Sequence, residues 1–411
     1  MAYTDAMKGR LQTTLTELAA GGLYKEERYI CSEQGVEIAV EFPRHAPQLD
    51  VLNFCANNYL GLSSHPEVIA AAHKGLDERG YGMSSVRFIC GTQDMHNELE
   101  QAMAKFLGKE DAILFSSCFD ANAAVFEVLF DKDDVLISDR LIHASLIDGI
   151  RLCSAQTDSY KNADMDHLEK KLQLWRTKAR NMCVITDGVF SMDGILAPLD
   201  RVCELADKYG ALVLVDDSHA TGFIGKTGRG VHEHFGVMDK VDVITTTLGK
   251  ALGGASGGVV AGPREVTEML RNRGRPYLFS NAVPPPIIYG ALKVIELISS
   301  TTALRDKLEW NAKYFREKME AAGFTLVPGQ TPIVPVMLGD AKLANEFAKE
   351  MLKEGIYVVG FSHPVVPMGK ARIRTQLSAA HDKGHIDRAV DAFIRVGKRL
   401  GVIGAQGAGK A

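Results

Sequence analysis

Between residues 108 and 252 the chain alternates short apolar runs with segments of helical periodicity, and this alternation constrains its fold more than any other feature. The runs fall at residues 112–115, 135–137, 182–186, 211–215 and 241–246. A strand without a polar face has to be covered on both sides. The pattern therefore predicts an α/β fold with a mainly parallel sheet and crossover helices on both faces. Two of those helices are readable directly. Residues 95–107 set Met95, Leu99, Met103 and Phe106 on one side behind Asp94 as an expected N-cap, and residues 199–208 repeat the pattern between two strands.

With 411 residues the chain exceeds what one core organises, so two domains are expected. The proline-rich stretch 283–286 interrupts any preceding element and marks the boundary. Beyond it come helical patterns at 287–299, 304–322, 342–354 and 386–400, with strand patterns at 333–338, 356–359 and 371–376: a smaller α+β unit. The expected division is an N-terminal helical and strand segment at 1–55, a large domain at 56–286, a small C-terminal domain at 287–403 and a flexible tail at 404–411. The tail holds the skeleton of a P-loop, Gly404, Gly409 and Lys410, but lacks the Ser/Thr, the strand before it and the helix behind it.

A net charge of −4 with 24% charged residues provides no basic stripe, so no nucleic-acid partner is expected. Seven scattered cysteines with no CxxC pair and no zinc-like spacing point to reduced thiols and no metal. Residues 1–18 read as a polar amphipathic helix carrying both acids and bases, unlike a signal or transit peptide, and no run of about 18 apolar residues suggests a membrane span. The expected location is the cytoplasm.

Chemistry gathers at the ends of the predicted strands. The run at 213–215 stops at Asp216-Asp217-Ser218-His219, where ligands of parallel α/β sheets sit. A carboxylate buried there needs a cationic or hydrogen-bonding partner. The next run ends in Thr247-Leu-Gly-Lys250-Ala-Leu-Gly-Gly, a lysine among small and apolar residues, whose amine burial would free to attack an aldehyde. A strand-end acid beside a strand-end lysine is what a pyridoxal-phosphate enzyme needs: lysine to bind the cofactor as an imine, carboxylate to keep its pyridine nitrogen protonated.

Each feature also has a plainer reading. Asp216 serves equally as a capping acid, Gly249-Lys250 as a turn, and His219 as a satisfied core histidine. Residues 116–122 follow a strand and open a helix, giving either a phosphate site or an ordinary cap. His143, after Asp139, suits stacking on a cofactor ring or capping the next helix, and Ser191 follows a strand in a turn. Arg372 and Arg374 share a strand face; one of them makes a carboxylate clamp, or both are solvated on an edge strand.

The blocks Phe54-Cys-Ala-Asn57-Asn-Tyr-Leu-Gly-Leu62, Ser85-Val-Arg-Phe-Ile-Cys-Gly-Thr-Gln-Asp94, Ser117-Cys-Phe-Asp-Ala-Asn122, Val215-Asp-Asp-Ser-His-Ala220, Thr247-Leu-Gly-Lys-Ala-Leu-Gly-Gly254 and Ser362-His-Pro-Val-Val-Pro367 resemble the α-oxoamine synthases, over residues 23–403. The resemblance implies a fold-type I pyridoxal-phosphate transferase, with a seven-stranded type of sheet in the large domain, and a homodimer with shared active sites. It assigns Lys250 to the covalent link with pyridoxal 5'-phosphate, Asp216 to the pyridine nitrogen, and His219 and Ser191 to the ring hydroxyl. Cys118, Phe119 and Thr247 would hold the phosphate, with Ser280 and Asn281 supplied by the other subunit. His143 would stack over the ring, and Asn57 and Arg374 would meet the substrate. Lys250, His143, Asp216 and His219 form the implied catalytic set.

The implied reaction is glycine plus acetyl-CoA giving 2-amino-3-oxobutyrate plus CoA, within threonine degradation, with functional coupling to a threonine dehydrogenase as an expected partnership. The alternatives are family members of the 8-amino-7-oxononanoate or 5-aminolevulinate type, an aminotransferase or aldolase on the same fold, and a dimeric scaffold without cofactor.

Overall fold

The computed structural model describes residues 3–21 and 23–404. Of the tail expected to be flexible at 404–411, all but Gly404 lies outside the described residues, as do the P-loop skeleton's Gly409 and Lys410.

Seven strands form the central sheet in the order Asp111–Phe115, Gly258–Gly262, Val243–Thr247, Leu212–Asp216, Met182–Asp187, Val135–Asp139 and Gln156–Tyr160. All run parallel except Gly258–Gly262, which is antiparallel to both of its neighbours. The apolar runs explain this arrangement residue by residue. Ala112, Leu114, Val135, Ile137, Val184, Val213, Val215 and Val259 pack to one side, with Leu99, Met103, Val202 and Leu205 from the covering helices. Ile113, Phe115, Leu136, Cys183, Ile185, Leu214 and Val260 pack to the other, with Ala121, Val125, Phe126 and Leu146. Successive side chains of a strand point to opposite faces, so a continuous apolar run feeds two cores at once.

Asp111–Phe115, Val135–Asp139, Met182–Asp187, Leu212–Asp216 and Val243–Thr247 each match a predicted run, with one or both ends displaced by a residue or two. Helix Asp94–Leu107 begins one residue earlier than expected and is capped differently. Gln93 is its N-cap, and Asp94 is the first helical residue, paired with Arg79 at 3.0 Å. The Gln93 N–H donates to the His96 ring at 3.1 Å while the Gln93 carbonyl accepts from the His96 N–H at 3.1 Å, which ties the helix start together without Asp94 as its cap.

The C-terminal part carries Ile333–Gly339, Ala371–Gln376 and Gly360–Phe361 in a three-stranded antiparallel sheet. Ala371–Gln376 is the central strand of the three, fully buried, so Arg372 and Arg374 do not stand on a solvated edge. The short strand Ile356–Tyr357 pairs instead with Leu49–Asn53, tying the N-terminal segment to the C-terminal unit. Helix Pro285–Ser300, which begins within the proline stretch, lies against Pro66–Arg79 and Asp94–Leu107. Among the described residues no single helix is long and apolar enough to cross a membrane.

Candidate active site

The carboxyl ends of the parallel strands bring their terminal residues together. Asp216 and Asp187 end adjacent strands in register, and Thr247 ends the next. Asp216 is buried, accepting from Asn122 Nδ2 at 2.7 Å and from the Ser218 N–H at 3.0 Å, with no arginine, lysine or histidine in ion-pair contact among the described residues. Lys250 follows the strand Val243–Thr247. Burial lowers its pKa, against the opposing pull of Asp216. The two groups expected from the strand ends therefore feel each other's charge, and burial shifts Lys250 toward its uncharged form.

Asp187 lies beside Asp216. Burial, reinforced by the Asp216 charge, pushes its carboxyl well above the ordinary range, and its Oδ1 accepts from the His143 N–H at 3.1 Å. His143 caps the helix Ala144–Leu152: its Nδ1 accepts from the Ser145 N–H at 3.2 Å and meets Ser145 Oγ at 2.7 Å. His219 is buried, its Nδ1 2.8 Å from the Tyr59 hydroxyl. Burial, with Lys250 and Arg374 nearby, holds its pKa well below the usual histidine range. Both histidines thus do local structural work and stand within the electrostatic reach of Lys250.

Opposite them the two arginines diverge. Arg372 is 3% exposed and pairs with Asp193 at 2.5 Å. Arg374 is buried, yet among the described residues it has no acidic partner: Nη1 donates to the Ser191 carbonyl at 3.1 Å, Nη2 to Gln376 Oε1 at 3.1 Å, and Nε has no bond. A buried guanidinium lacking a counter-ion is a ready receptor for a carboxylate. Gln376 also donates to Asn57 Oδ1 at 2.5 Å, so Asn57 and Arg374, expected to meet the substrate, are joined by one side chain.

Helix Cys118–Leu129 opens behind its N-cap Ser117. Gly258 passes so close that a Cβ there would stand 2.3 Å from the Cys118 nitrogen. Thr247 Oγ1 accepts from the Gly249 N–H at 3.0 Å in the same loop region. The result is a helix N-terminus lined by Cys118, Phe119 and a glycine strand, suited to a phosphate. Ser280 and Asn281 lie next to it, in contact with Ser116 of this same chain at 3.3 and 2.9 Å.

The model for aminotransferase class I and II matches residues 49–393. The chain belongs to the class I and II aminotransferase family. It is 59% identical over 395 residues to 2-amino-3-ketobutyrate coenzyme A ligase of Escherichia coli (strain K12), covering 96% of this chain and 98% of that protein. It is 53% identical to the mitochondrial 2-amino-3-ketobutyrate coenzyme A ligase of Homo sapiens over 97% of this chain and 94% of that protein. An 8-amino-7-oxononanoate synthase of Thermoanaerobacter pseudethanolicus is more distant, at 42% over 96% and 98%. Among solved family structures, a serine palmitoyltransferase from S. paucimobilis with bound PLP-myriocin aldimine superposes with a TM-score of 0.89 at 30% identity, over 96% of this chain and 98% of that one. These matches bear out the α-oxoamine synthase resemblance, and the architecture is that of the fold-type I pyridoxal-phosphate transferases.

The pocket fits that cofactor on its own features. A buried carboxylate without a cation suits a protonated pyridine nitrogen, a lysine of lowered pKa suits an imine, and the close approach of Gly258 leaves a helix N-terminus open to phosphate. Four participants were not singled out from the sequence. Asn122 holds Asp216, Tyr59 and Gln376 link His219 to Arg374, and Asp187 anchors the His143 backbone. For Gln376 the signal was present: it continues the strand alternation of Arg372 and Arg374.

Proposed function

We propose that this chain is a pyridoxal-phosphate-dependent glycine C-acetyltransferase, joining glycine and acetyl-CoA to give 2-amino-3-oxobutyrate and CoA, and running the reverse cleavage in threonine degradation. The reading rests on 59% identity across 98% of the E. coli ligase, together with a buried lysine of lowered pKa and a buried arginine that has no acidic partner among the described residues.

In this reading Lys250 holds the cofactor covalently and Asp216 faces its pyridine nitrogen. His219 and Ser191 would meet the ring hydroxyl, and His143 would hold the ring. Cys118, Phe119 and Thr247 hold the phosphate, with Ser280 and Asn281 reaching it from a second copy. When bound, pyridoxal phosphate supplies an electron sink for the charge left on an amino-acid Cα by loss of its proton.

The chain's own residues do the rest. Arg374, already fixed by Ser191 and Gln376, takes the glycine carboxylate through its uncommitted N–H groups, and Asn57 adds a polar contact. That clamp orients the Cα–H bond. Lys250 Nζ, its pKa lowered by burial, accepts the α-proton as a free amine. The net change forms a bond between glycine Cα and the acetyl carbonyl carbon and breaks the thioester C–S bond, releasing CoA as its thiol.

A homodimer is part of the proposal. Phe88, Ile89 and Phe279, at 60%, 69% and 68% exposure, flank Ser280 and Asn281, and apolar surface of this kind calls for a covering partner. All seven cysteines are unpaired, in keeping with the proposed cytoplasmic location and reducing conditions. A functional partnership with a threonine dehydrogenase is proposed on the chemistry of the shared ketoacid.

The test is turnover of the holoenzyme with acetyl-, succinyl- and pimeloyl-CoA, each with glycine and with alanine. Glycine with acetyl-CoA should be the preferred pair. Negligible turnover of that pair, with robust turnover of another, would transfer the chain to a different α-oxoamine reaction.

A further inference from the structure

Two chains of hydrogen bonds run through the site, and the direction of each is fixed by groups that can only donate or only accept. The first starts at Arg374. A guanidinium has no acceptor, so the Gln376 atom 3.1 Å from Nη2 is its carbonyl oxygen, and the amide nitrogen must face the other way. That nitrogen has two protons and spends both, one on Asn57 Oδ1 at 2.5 Å and one on the Tyr59 hydroxyl oxygen at 2.8 Å. Tyr59 then accepts from Gln376 and has a single proton left to give. Its partner for that proton is His219 Nδ1, 2.8 Å away. Nδ1 is thereby an acceptor.

The second chain starts at Asp216. A carboxylate accepts, so the Asn122 atom 2.7 Å from Oδ2 is its amide nitrogen, and the Asn122 oxygen is left with no bond. The same nitrogen donates to Ser145 Oγ at 2.9 Å. The hydroxyl turns its own proton to His143 Nδ1 at 2.7 Å, and the Ser145 backbone N–H, which can only donate, points to the same nitrogen at 3.2 Å. Here too Nδ1 can only accept.

We infer that His143 and His219 are both locked as Nε2–H tautomers, and that Tyr59, Gln376, Asn122 and Ser145 are positioning residues that set those protons from the substrate-facing Arg374 and the cofactor-facing Asp216. Burial supports the locking. Tyr59 is wholly buried, its ring tilted against Phe223 with centroids 4.5 Å apart, its hydroxyl pushed up to about 12, so it keeps the proton it donates. Both imidazoles are shifted below the ordinary histidine range by burial, which favours a single ring proton. No described residue bonds either Nε2. Each ring therefore offers the site a donor and no basic nitrogen, which leaves Lys250 as the base. The first chain also ties His219 to the substrate side: a carboxylate arriving at Arg374 pulls on the guanidinium that orients Gln376, and through Tyr59 on the proton partner of His219.

The inference uses the proposed function only to say what the site faces, and the proton positions are read with no acyl donor present. They are therefore testable even if the acyl specificity differs. Joint neutron and X-ray diffraction from perdeuterated holoenzyme should show deuterium on Nε2 and none on Nδ1 of both rings, with the Tyr59 deuteron directed at His219. Deuterium on Nδ1 of either ring overturns the assignment for that chain. In solution, Tyr59→Phe removes the donor to His219 while preserving the ring that packs on Phe223. The visible absorbance band of this variant should titrate with a midpoint displaced by about one pH unit or more, the scale on which a lost hydrogen bond moves a protonation equilibrium. Thermal stability tracks folding separately. A midpoint that matches wild type in a well-folded Tyr59→Phe holoenzyme overturns the role of the relay.

Discussion

Arg372 and Arg374 stand two residues apart on one face of a central strand, both buried, but among the described residues only Arg372 has a carboxylate partner, Asp193 at 2.5 Å. Strand geometry gives the two side chains the same outlook. Their surroundings divide them into a structural cation and a receptor. Arg374→Ala should raise the glycine KM by about 10- to 100-fold while cofactor retention changes little, since a charge-assisted clamp is lost and the phosphate end is untouched. Arg372→Ala should instead lower stability by about 3–5 kcal/mol by stranding its partner. Steady-state kinetics and denaturant melts on the two variants separate these outcomes. Equal effects on KM would remove the distinction.

Gly258 should tolerate no side chain. Its missing Cβ keeps the strand against the Cys118 nitrogen, where an alanine methyl would stand at 2.3 Å. Gly258→Ala has to push the helix N-terminus away, with an expected stability loss of about 1–3 kcal/mol and weaker cofactor affinity. Fluorescence titration of the apoenzyme with pyridoxal phosphate reads the second effect. Wild-type affinity in the variant would mean that the phosphate lies elsewhere.

Asp217 makes stability depend on pH. Burial raises its carboxyl from 3.8 to about 7, while the Val231 N–H and the Thr221 hydroxyl, both at 3.3 Å, only partly offset that. The folded state therefore keeps a proton that the unfolded chain has released. The resulting stabilisation is fully present below the unfolded value and is lost as pH rises through about 7. Asp217→Asn should flatten the decline measured by denaturant midpoints between about pH 5 and about pH 8. An unchanged slope would assign it to other groups, Asp187 first among them.

Much of this was open to reading from the sequence. The strands Met182–Asp187 and Leu212–Asp216 announce themselves because both faces are buried, and Asp216 and Lys250 because polar groups abruptly end apolar runs. Gly258–Gly262 hides behind a glycine-rich turn, and its valines are too few to set a period. The same holds for Gln156–Tyr160, whose polar residues suit the edge of the sheet. The relay from Tyr59 to Gln376 was beyond reach for another reason. Its members are 317 positions apart and meet only because the central strand of the C-terminal sheet lies beside the segment after Leu49–Asn53. Local spacing carries no trace of such a contact.

Lys250→Ala should fold like wild type, because the side chain makes no ion pair and no direct hydrogen bond among the described residues that holds an element in place. Turnover should nevertheless fall by about four orders of magnitude or more, as tether and base disappear together. A melting temperature near wild type with product formation below detection is the expected pair of results. Substantial residual turnover would move the base to another group.

The central claim is that Lys250 is the residue that carries the cofactor, and chemical trapping tests it most directly. Holoenzyme reduced with borohydride, digested and mapped by mass spectrometry should show the reduced pyridoxyl phosphate mass on the peptide containing Lys250 and on no other lysine. The same treatment of Lys250→Ala should leave every peptide unmodified. A label on a different lysine of the wild-type chain, or none at all in protein that retains the cofactor, would contradict the account.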